Sequence, residues 1–356
     1  MALHAKSARG YHQSLMRYCP DVRDLGARGS EQARLHEQAA EAAVSSFGRQ
    51  VFVRGVVEVS NYCRENCLYC GMRRDNKSLV RARALHDAIA EGLIHHRPGV
   101  ITDINIQTGE DPVAAGMLVL PLIRTLRRET NLGLSVCLGT LDHDIYTELK
   151  TAGASVYILK FETASATHYD KLHAPGNLTE RLNHIHWLSA NGWRVSSGFI
   201  AGLPGQQEAD LLHNCRLAAE LPVHGCSVSP FVPGEATPLS ETSPGDVETT
   251  LNCMAILRLM RPDWVIPAVS ALNLAQAGGY RRGLHAGANL VTINLTRGVL
   301  RRDYILYRRD RFIMDEDRVL AAISSEGLSP SRQGLAEFYR TKVIPQAEEE
   351  TFSLPT

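Results

Sequence analysis

The chain has 356 residues, 44% of them hydrophobic, and is long enough to bury a large core. Its 38 Lys and Arg residues balance 38 Asp and Glu residues, which argues against nucleic acid or an anionic membrane as a partner. No run of about eighteen apolar residues occurs, so a membrane-spanning helix is not expected. These properties are typical of a globular protein that acts on a small molecule.

The predicted elements begin with helices and continue as a repeat. Residues from about 12 to 46, rich in Arg, Glu, Gln and Ala, predict two or three helices. Short apolar runs then alternate with longer amphipathic ones. Strands are predicted at 51–59, 101–106, 132–137, 156–161, 193–200, 226–228, 265–269 and 290–293, and helices between them include 118–130, 145–152, 181–191, 208–221 and 247–261.

A strand followed by a helix, repeated eight times, predicts an α/β protein with a closed (β/α)8 TIM-type barrel. The spacing alone also fits an open, doubly wound parallel sheet. We assign residues 1–47 to an N-terminal helical extension, 48–318 to the barrel and 319–356 to a C-terminal helical tail punctuated by Pro330 and Pro345.

Three cysteines, Cys63, Cys67 and Cys70, follow the first predicted strand. Their C-x3-C-x2-C spacing supplies three thiolates to a four-iron cluster and leaves one iron free to bind a small molecule. We interpret the loop as a catalytic iron–sulfur site.

Two other interpretations of these cysteines are open. A structural zinc site needs a fourth ligand, and the nearest candidates, His86, His95 and His96, are not at finger spacing. Disulfides need an oxidising compartment, and the chain starts without an apolar signal segment. We expect reduced cysteines and a cytoplasmic location.

Polar residues follow several other predicted strands, where barrels gather their active-site groups. Gly109 and Glu110 follow the second strand, Glu162 follows the fourth, and Arg181 begins the next helix. A glycine-rich loop, Gly198 to Gly205, follows the fifth. Each also has an ordinary interpretation: a turn, an acid at a helix N-terminus, an arginine on a solvated helix face and a simple glycine turn.

Together these segments resemble the radical S-adenosylmethionine (SAM) superfamily, over roughly residues 51–314. The order of motifs is similar to the biotin-synthase-like branch, and most similar to its group of [FeFe]-hydrogenase maturases (HydE) and methylornithine synthases (PylB). The resemblance implies a [4Fe-4S] cluster, SAM, an electron donor of the ferredoxin or flavodoxin type, and reductive cleavage of SAM to a 5′-deoxyadenosyl radical.

The resemblance also implies roles for individual residues. Three cysteines hold the cluster, Glu110 lies near the methionine amino group, and Glu162 contacts the ribose. Arg181 binds the methionine carboxylate. The Tyr69 backbone and residues Ile200 to Gly202 are implied to lie at the adenine. The backbone at Gly109 is implied to approach the ligand.

Departures from relatives restrict the reaction. Biotin synthase carries a second cluster on its barrel strands. By the resemblance, Ser135, Ser196 and Ala271 stand at the positions of its ligands, so sulfur donation from such a cluster is not expected. No cysteine follows Cys253, which predicts one cluster. Cys137 is close to one of these positions, and the remaining cysteines, Cys19, Cys215, Cys226 and Cys253, are interpreted as core or helix residues.

The substrate-facing residues also differ from those of HydE. By the resemblance, Lys160-Phe161 stands in the place of Arg-His in HydE. A change from Arg to Lys alters carboxylate recognition. Tyr304 and Tyr307 could instead pack a helix at i,i+3 spacing. The candidate substrate contacts are Lys160, Ser270, Asn294, Thr296, Arg301, Tyr304 and Tyr307.

We expect an enzyme that abstracts hydrogen from a small carboxylated or amino-acid-derived substrate in cofactor or amino-acid biosynthesis. One alternative is sulfur insertion of the biotin or lipoyl type, as in lipoate assembly, with a partner maturation or sulfur-donating protein. The alternative of another class is a non-catalytic iron–sulfur or zinc scaffold.

Overall fold

The computed structural model describes residues 18–308 and 313–341. Its main sheet consists of parallel strands in the order β6-β5-β4-β3-β2-β1-β7, and β8 pairs in parallel with the start of β1. The strands are β1 Gln50–Ser60, β2 Asp103–Thr108, β3 Gly133–Cys137, β4 Val156–Ile158, β5 Arg194–Ala201, β6 Gly225–Pro230, β7 Leu290–Asn294 and β8 Ser329–Pro330.

The segment around residues 265–267 fills the gap between β6 and β7. Val265 forms an isolated parallel bridge with Gly225, and Pro267 forms one with Leu290. The prediction of a regular strand at 265–269 is wrong, because Pro267 has no N–H with which to extend a ladder. The segment nevertheless occupies the expected place, and the TIM-type α/β fold is confirmed.

Helices connect the parallel strands and cover the outside of the barrel. Pro112–Ala114, a π-helical segment Ala115–Val119 and Leu120–Glu129 form one continuous helical stretch. The five helices predicted within the barrel are all present, with ends shifted by a few residues. The other helices are Val22–Gly26, Gly29–Phe47, His86–His95, His143–Ala152, Ala166–Lys171, Leu178–Ala190, Glu208–Glu220, Val247–Met260, Ser270–Ala275, Gly279–His285, Gly298–Asp303, Glu316–Ser325 and Leu335–Thr341.

The two helices before β1 are tied to the barrel by a buried asparagine. The Asn252 amide donates hydrogen bonds to the carbonyls of Leu25 and Ala27, and its oxygen accepts one from Gln32. These helices agree with the predicted N-terminal helices, whose residues 12–17 lie outside the described residues. No helix in the described part of the chain is long and apolar enough to cross a membrane.

The residues after 318 close the end of the barrel where the strands begin. The Asp103 carboxylate accepts hydrogen bonds from the N–H groups of Leu335 (2.6 Å) and Ala336 (3.0 Å), and so caps the helix Leu335–Thr341. Pro330 lies in β8, so this segment is not purely helical as predicted. Pro345 lies outside the described residues.

The alternation of side chains along β1 places charged groups inside the barrel. Arg54, Val56 and Glu58 line the interior cavity. Val53 and Val57, on the opposite side of the strand, belong to the buried apolar core.

Candidate active site

A cavity of about 340 Å³ occupies the barrel interior, a size suited to a small ligand. It extends from the cysteine loop at the carboxyl ends of the strands to Leu335 and Tyr339 at the opposite end. The described residues on its wall that carry titratable side chains are Arg54, Glu58, Cys63, Glu65, Cys67, Tyr69, Cys70, Glu110, Cys137, Lys160, Glu162, Arg181, Tyr280, Tyr304, Tyr307 and Tyr339.

Cys63, Cys67 and Cys70 all line this cavity, directly after β1. Burial raises the pKa of all three thiols, to about 12 for Cys70, and the neighbouring thiols raise the pKa of Cys67 further. The Glu110 N–H lies 3.4 Å from the Cys63 sulfur as a donor. A metal that binds here must displace the thiol protons, which thiophilic iron does.

The cysteines are not arranged around a single metal ion. Among the described residues, no three His, Cys, Asp or Glu side chains converge as the ligands of one ion do. The sulfur ligands of one zinc lie roughly 4 Å apart, whereas cluster thiolates each bind a different iron and lie farther apart. His86, one zinc candidate, instead contacts Asp87 and Thr125. The arrangement disfavours a mononuclear zinc site.

Gly109 allows the loop after β2 to pass directly against the cysteine loop. A Cβ atom at this position would lie 2.2 Å from the Tyr62 carbonyl oxygen and 2.9 Å from the Cys63 Cβ. The Arg64 N–H donates to the Glu110 carbonyl at 3.0 Å, which fastens the two loops together. Gly109 itself is not on the cavity wall. It therefore holds the position of the cysteines.

Glu110 lies at the centre of a polar network on the cavity wall. Its carboxylate accepts hydrogen bonds from the Arg181 guanidinium (3.2 Å), the Arg64 guanidinium (3.2 Å) and the Thr140 hydroxyl. Arg181 is 5% exposed, so its interpretation as a solvated arginine on a helix face is wrong. Burial, the largest single effect, lowers the pKa of Arg181, but the electrostatic effects of Glu110, Tyr169, Glu162 and Tyr69 together outweigh it and raise the pKa.

Glu162 has two properties that distinguish it from an ordinary helix-terminal acid. Its backbone φ is 62°, a left-handed conformation that costs a non-glycine residue energy. Its buried Oε2 atom has no hydrogen-bond partner in the described part of the chain, and the Lys160 ammonium lies 3.7 Å away. The N-cap of the following helix is Ser165. An unsatisfied carboxylate oxygen on a cavity wall suits a hydroxyl group of a ligand.

An apolar group of side chains borders the cysteine loop and can accommodate a planar ring. Leu172, Ile200, Leu203 and Phe231 pack together, and Tyr69 packs against them. Gly202 is not on the cavity wall; its N–H donates to the Gln206 side chain, and its backbone passes close to Gly245.

The structure brings most, but not all, of the candidate substrate contacts to the cavity. Thr296 is fully buried and its hydroxyl accepts the N–H of Glu58 at 3.0 Å, and neither it nor Arg301 lines the cavity. The helix Gly298–Asp303 ends before Tyr304, so the two tyrosines do not pack along one helix as the alternative proposed. The candidates on the wall are Lys160, Ser270, Asn294, Tyr304 and Tyr307.

Two charged residues on the wall were missed by sequence reasoning. Arg54 has no carboxylate within salt-bridge distance among the described residues, and its buried Nε has no hydrogen-bond partner there. Glu58 accepts a hydrogen bond from Asn294 at 3.3 Å. They interrupt the apolar run of β1, Arg54 two residues before and Glu58 two residues after Val56, and this interruption, which has no motif spacing, was the only signal in the sequence.

The positions that resemble those of a second cluster carry no set of thiols. Ser196 and Ala271 line the cavity, whereas Ser135 is buried and donates to the Asn105 side chain. Cys137 is the neighbouring cavity thiol. All eight cysteines are free, and the predicted core position holds for Cys215, Cys226 and Cys253; Cys19 is exposed and lies before the first described helix, so its interpretation is wrong.

Comparison with known proteins decides the family. The family model described as the radical SAM superfamily matches residues 57–218. The [FeFe] hydrogenase maturase subunit HydE of Thermotoga maritima is 33% identical over 314 residues, which cover 86% of this chain and 89% of HydE. The chain belongs to the radical SAM superfamily.

Other radical SAM relatives place the chain in the predicted branch. The 3-methylornithine synthase of Methanosarcina acetivorans is 27% identical over 89% of this chain and 91% of its own length. The biotin synthase of Acinetobacter calcoaceticus is 28% identical over 74% and 85%. A crystal structure of methylornithine synthase (PylB) superimposes with a TM-score of 0.80 at 24% identity, covering 92% of this chain and 99% of PylB.

Membership of the radical SAM superfamily implies a [4Fe-4S] cluster and SAM. The cavity fits both groups on its own chemistry. Three cysteines line it, Glu162, whose buried Oε2 has no hydrogen-bond partner among the described residues, lines it too, and the apolar group around Tyr69 borders the thiols. The chain is therefore a radical SAM enzyme of the group that contains HydE, PylB and biotin synthase.

Proposed function

We propose that the enzyme binds a [4Fe-4S] cluster through Cys63, Cys67 and Cys70 and abstracts hydrogen from a small carboxylated or amino-acid-derived substrate. The observation that carries the proposal is that the three cysteines line the same cavity as Glu162, whose buried Oε2 has no hydrogen-bond partner among the described residues. When bound, the cluster and SAM supply a 5′-deoxyadenosyl radical, and the protein provides ligation, orientation and exclusion of water.

The residues around the thiols match the parts of SAM. Glu110 is an acceptor for the methionine ammonium. Arg181 uses Nε for the Lys160 carbonyl and Nη1 for Glu110, which leaves further guanidinium N–H groups for the methionine carboxylate. Glu162 accepts from the ribose. The Tyr69 backbone and Ile200 border the adenine, while Gly109 and Gly202 act by shaping the loops.

The deeper cavity has the charges that an amino-acid-derived substrate needs. Arg54 and Lys160 are cations for a carboxylate, and Glu58 with Asn294 can accept an ammonium group. Burial, the largest single effect, lowers the pKa of Lys160, but the electrostatic effects of Glu162, Tyr307 and Cys137 together outweigh it and raise the pKa, so Lys160 stays charged. The helix Leu335–Thr341 covers the far end and keeps water out.

The reaction proposed is of the HydE or PylB kind, in cofactor or amino-acid biosynthesis, in a reducing cytoplasm. The names of two relatives describe hydrogenase maturation and 3-methylornithine synthesis for those proteins. Lys160-Phe161 in place of Arg-His supports a substrate different from that of HydE. Ser135, Ser196 and Ala271 argue against sulfur insertion from a second internal cluster.

Anaerobic reconstitution with iron and sulfide tests the proposal. We expect a brown protein with one four-iron cluster per chain that forms 5′-deoxyadenosine from SAM after reduction with dithionite. Cys67→Ala should abolish this product, because one lost thiolate uncovers a second iron, whereas Cys19→Ala, an exposed cysteine outside the cavity, should retain it. A colourless zinc protein, or full turnover by Cys67→Ala, contradicts the proposal.

The substrate class is tested by deuterium transfer. The reconstituted enzyme is incubated with SAM and, separately, with uniformly deuterated amino acids and matched amines that lack the carboxylate. Deuterium is expected in 5′-deoxyadenosine from a carboxylated member of the set. Transfer from the amines alone contradicts a carboxylated substrate.

A further inference from the structure

We propose that a surface beside the cysteine loop is the docking site for a small, acidic electron-carrier protein. This cysteine-loop patch consists of Tyr62, Val113 and Met117, bordered by Arg64, Arg74 and Arg83. The inference rests on the proposed function, since the carrier delivers the electron that the cluster needs. One electron passes from the reduced carrier to the oxidised cluster, and no proton or bond moves.

The apolar side chains of the patch stand out from the rest of the surface. Among the described residues, six large apolar side chains are strongly exposed, and all but Val22 lie between residues 62 and 117. The exposed fractions are 38% for Tyr62, 51% for Val113 and 79% for Met117. Contiguous exposed apolar residues beside a functional site are typical of protein interfaces.

The stretch around these residues carries an excess of positive charge. Residues 62–85 contain six Arg and Lys residues and two acidic residues, although the whole chain has a net charge of zero. The side chains of Arg64, Arg74 and Arg83 are 50%, 62% and 36% exposed, and they form ion pairs with Glu110, Asp75 and Asp111 respectively. Six basic against two acidic residues still leave this stretch an excess of four positive charges, which attracts an acidic partner and orients its approach.

Contacts link Tyr62 to the start of the helical segment that carries Val113 and Met117. The Arg83 guanidinium lies 4.1 Å from the centre of the Tyr62 ring and donates to the Asp111 carboxylate at 2.8 and 3.0 Å. Asp111 is the N-cap of the helical segment that carries Val113, and Met117 follows one turn later. Arg74 donates to the Arg64 carbonyl at 3.3 Å.

The patch also lies directly over a cluster ligand. Tyr62 precedes Cys63 in the chain, and Gly109 brings the loop that leads to Val113 into contact with the same cysteine. The Glu110 N–H reaches the Cys63 sulfur from this loop. A carrier that docks here is separated from the Cys63 ligand by the loop residues that contact it.

Two reductants separate docking from catalysis. 5′-Deoxyadenosine formation by the reconstituted enzyme is measured with dithionite, and with flavodoxin kept reduced by its NADPH-dependent reductase. Met117→Glu and Arg74→Glu should leave the dithionite rate unchanged and lower the flavodoxin rate by at least about fivefold. Val22→Glu and Arg216→Glu introduce the same charges at exposed positions elsewhere and should match the unsubstituted enzyme with both reductants.

Binding provides a readout that is independent of turnover. The dissociation constant of flavodoxin for the reconstituted enzyme is measured by calorimetry at low and high salt. We expect both patch variants to bind more weakly than the control variants, and the unsubstituted enzyme to lose affinity as salt rises.

Two results overturn the proposal: patch variants that accept flavodoxin electrons and bind flavodoxin as the controls do, or patch variants that lose the dithionite reaction equally. The first removes docking from this surface, and the second shows that the patch acts on the cluster site itself. Absence of 5′-deoxyadenosine from the unsubstituted enzyme with dithionite is a different result, which refutes the proposed function.

Discussion

The Arg181 guanidinium and the Glu110 carboxylate form an ion pair of 3.2 Å on the cavity wall, with only 6% and 4% of their side chains exposed. The two residues come from distant parts of the chain, the loop after β2 and the helix Leu178–Ala190. Their contact joins the side of the barrel that holds the cysteine loop to the side that follows β4, since Arg181 also donates to the Lys160 carbonyl at 2.8 Å.

Removal of one partner of this pair should be strongly destabilising. Arg181→Met leaves a buried Glu110 carboxylate with only the half-exposed Arg64 and Thr140 as partners, and we expect a loss of about 3 kcal/mol in the free energy of unfolding. The double variant with Glu110→Gln should lose less than the sum of the single losses. Urea unfolding of the cluster-free chain measures both.

The exposed pair Arg128 and Glu129 is the control for this measurement. Its two charges lie 2.7 Å apart, with side chains 68% and 45% exposed. Arg128→Met should change the free energy of unfolding by less than about 1 kcal/mol. Equal losses for Arg181→Met and Arg128→Met contradict the importance of the buried pair.

Gly109→Ala should prevent assembly of the iron site without unfolding the barrel. The added Cβ atom meets the Tyr62 carbonyl and the Cys63 Cβ, so the cysteine loop must shift. We expect iron content after anaerobic reconstitution to fall by more than about half, because cluster ligation needs three thiols in fixed positions. Gly116→Ala, where the Cβ meets no atom within 4 Å, should bind iron normally.

The parts of the fold that sequence predicted are those with a repeated local pattern. Parallel strands covered on both faces are nearly continuous apolar runs, so β1, β3 and β5 were visible in the sequence. The 265–269 segment has the same composition, yet Pro267 interrupts its ladder. The cysteine spacing identified its loop because three thiols in eight residues have few structural uses.

The rest of the site depends on tertiary contacts that no local pattern contains. Arg181 resembles any arginine on a helix, and only packing makes it a buried partner of Glu110. Thr296 and Arg301 follow the last strand as expected of active-site residues, but the turn after Asn294 directs them away from the cavity. Arg54 was overlooked because one charge within an apolar strand carries no spacing signal.

Two substitutions at Glu162 distinguish backbone strain from ligand binding. Glu162→Ala and Glu162→Gly both remove the carboxylate, but only glycine adopts a φ of 62° without cost. We expect the glycine variant to be more stable than the alanine variant by about 1 kcal/mol in urea unfolding.

Both Glu162 variants should bind SAM at least about tenfold more weakly than the unsubstituted enzyme, because the hydrogen bond lost is to a charged acceptor. Equilibrium dialysis of the reconstituted proteins with SAM measures this affinity. Glu180→Gln, on the exposed side of the helix Leu178–Ala190, is the control and should bind normally. Unchanged affinity in both Glu162 variants removes this residue from the SAM site.

Arg54→Met should stabilise the empty protein and impair the reaction. Burial lowers the pKa of Arg54, which means that the folded chain pays a desolvation cost for this cation, offset only in part by Asp103. An apolar side chain of similar length should raise the free energy of unfolding by about 1 kcal/mol or more at pH 7. The same variant should form 5′-deoxyadenosine with dithionite but lose deuterium transfer from a carboxylated substrate. A loss of stability together with normal transfer contradicts the assignment.

His224 makes the stability of the protein depend on pH. Burial, followed by the charge of Arg194, lowers the pKa of His224 to about 4 in the folded chain, below its value of 6.5 when exposed. Between pH 4 and pH 6.5 the unfolded chain therefore binds a proton on this side chain that the folded chain does not bind. The contribution is complete above pH 6.5 and is lost as the pH falls towards 4, and the loss amounts to about 2 kcal/mol at pH 5. His224→Gln should remove this part of the pH dependence in urea unfolding of the cluster-free chain at pH 7 and pH 5, whereas His95→Gln, on an exposed helix surface, should retain it. Equal losses of stability between pH 7 and pH 5 in the unsubstituted chain and in His224→Gln show that another group governs the acid sensitivity.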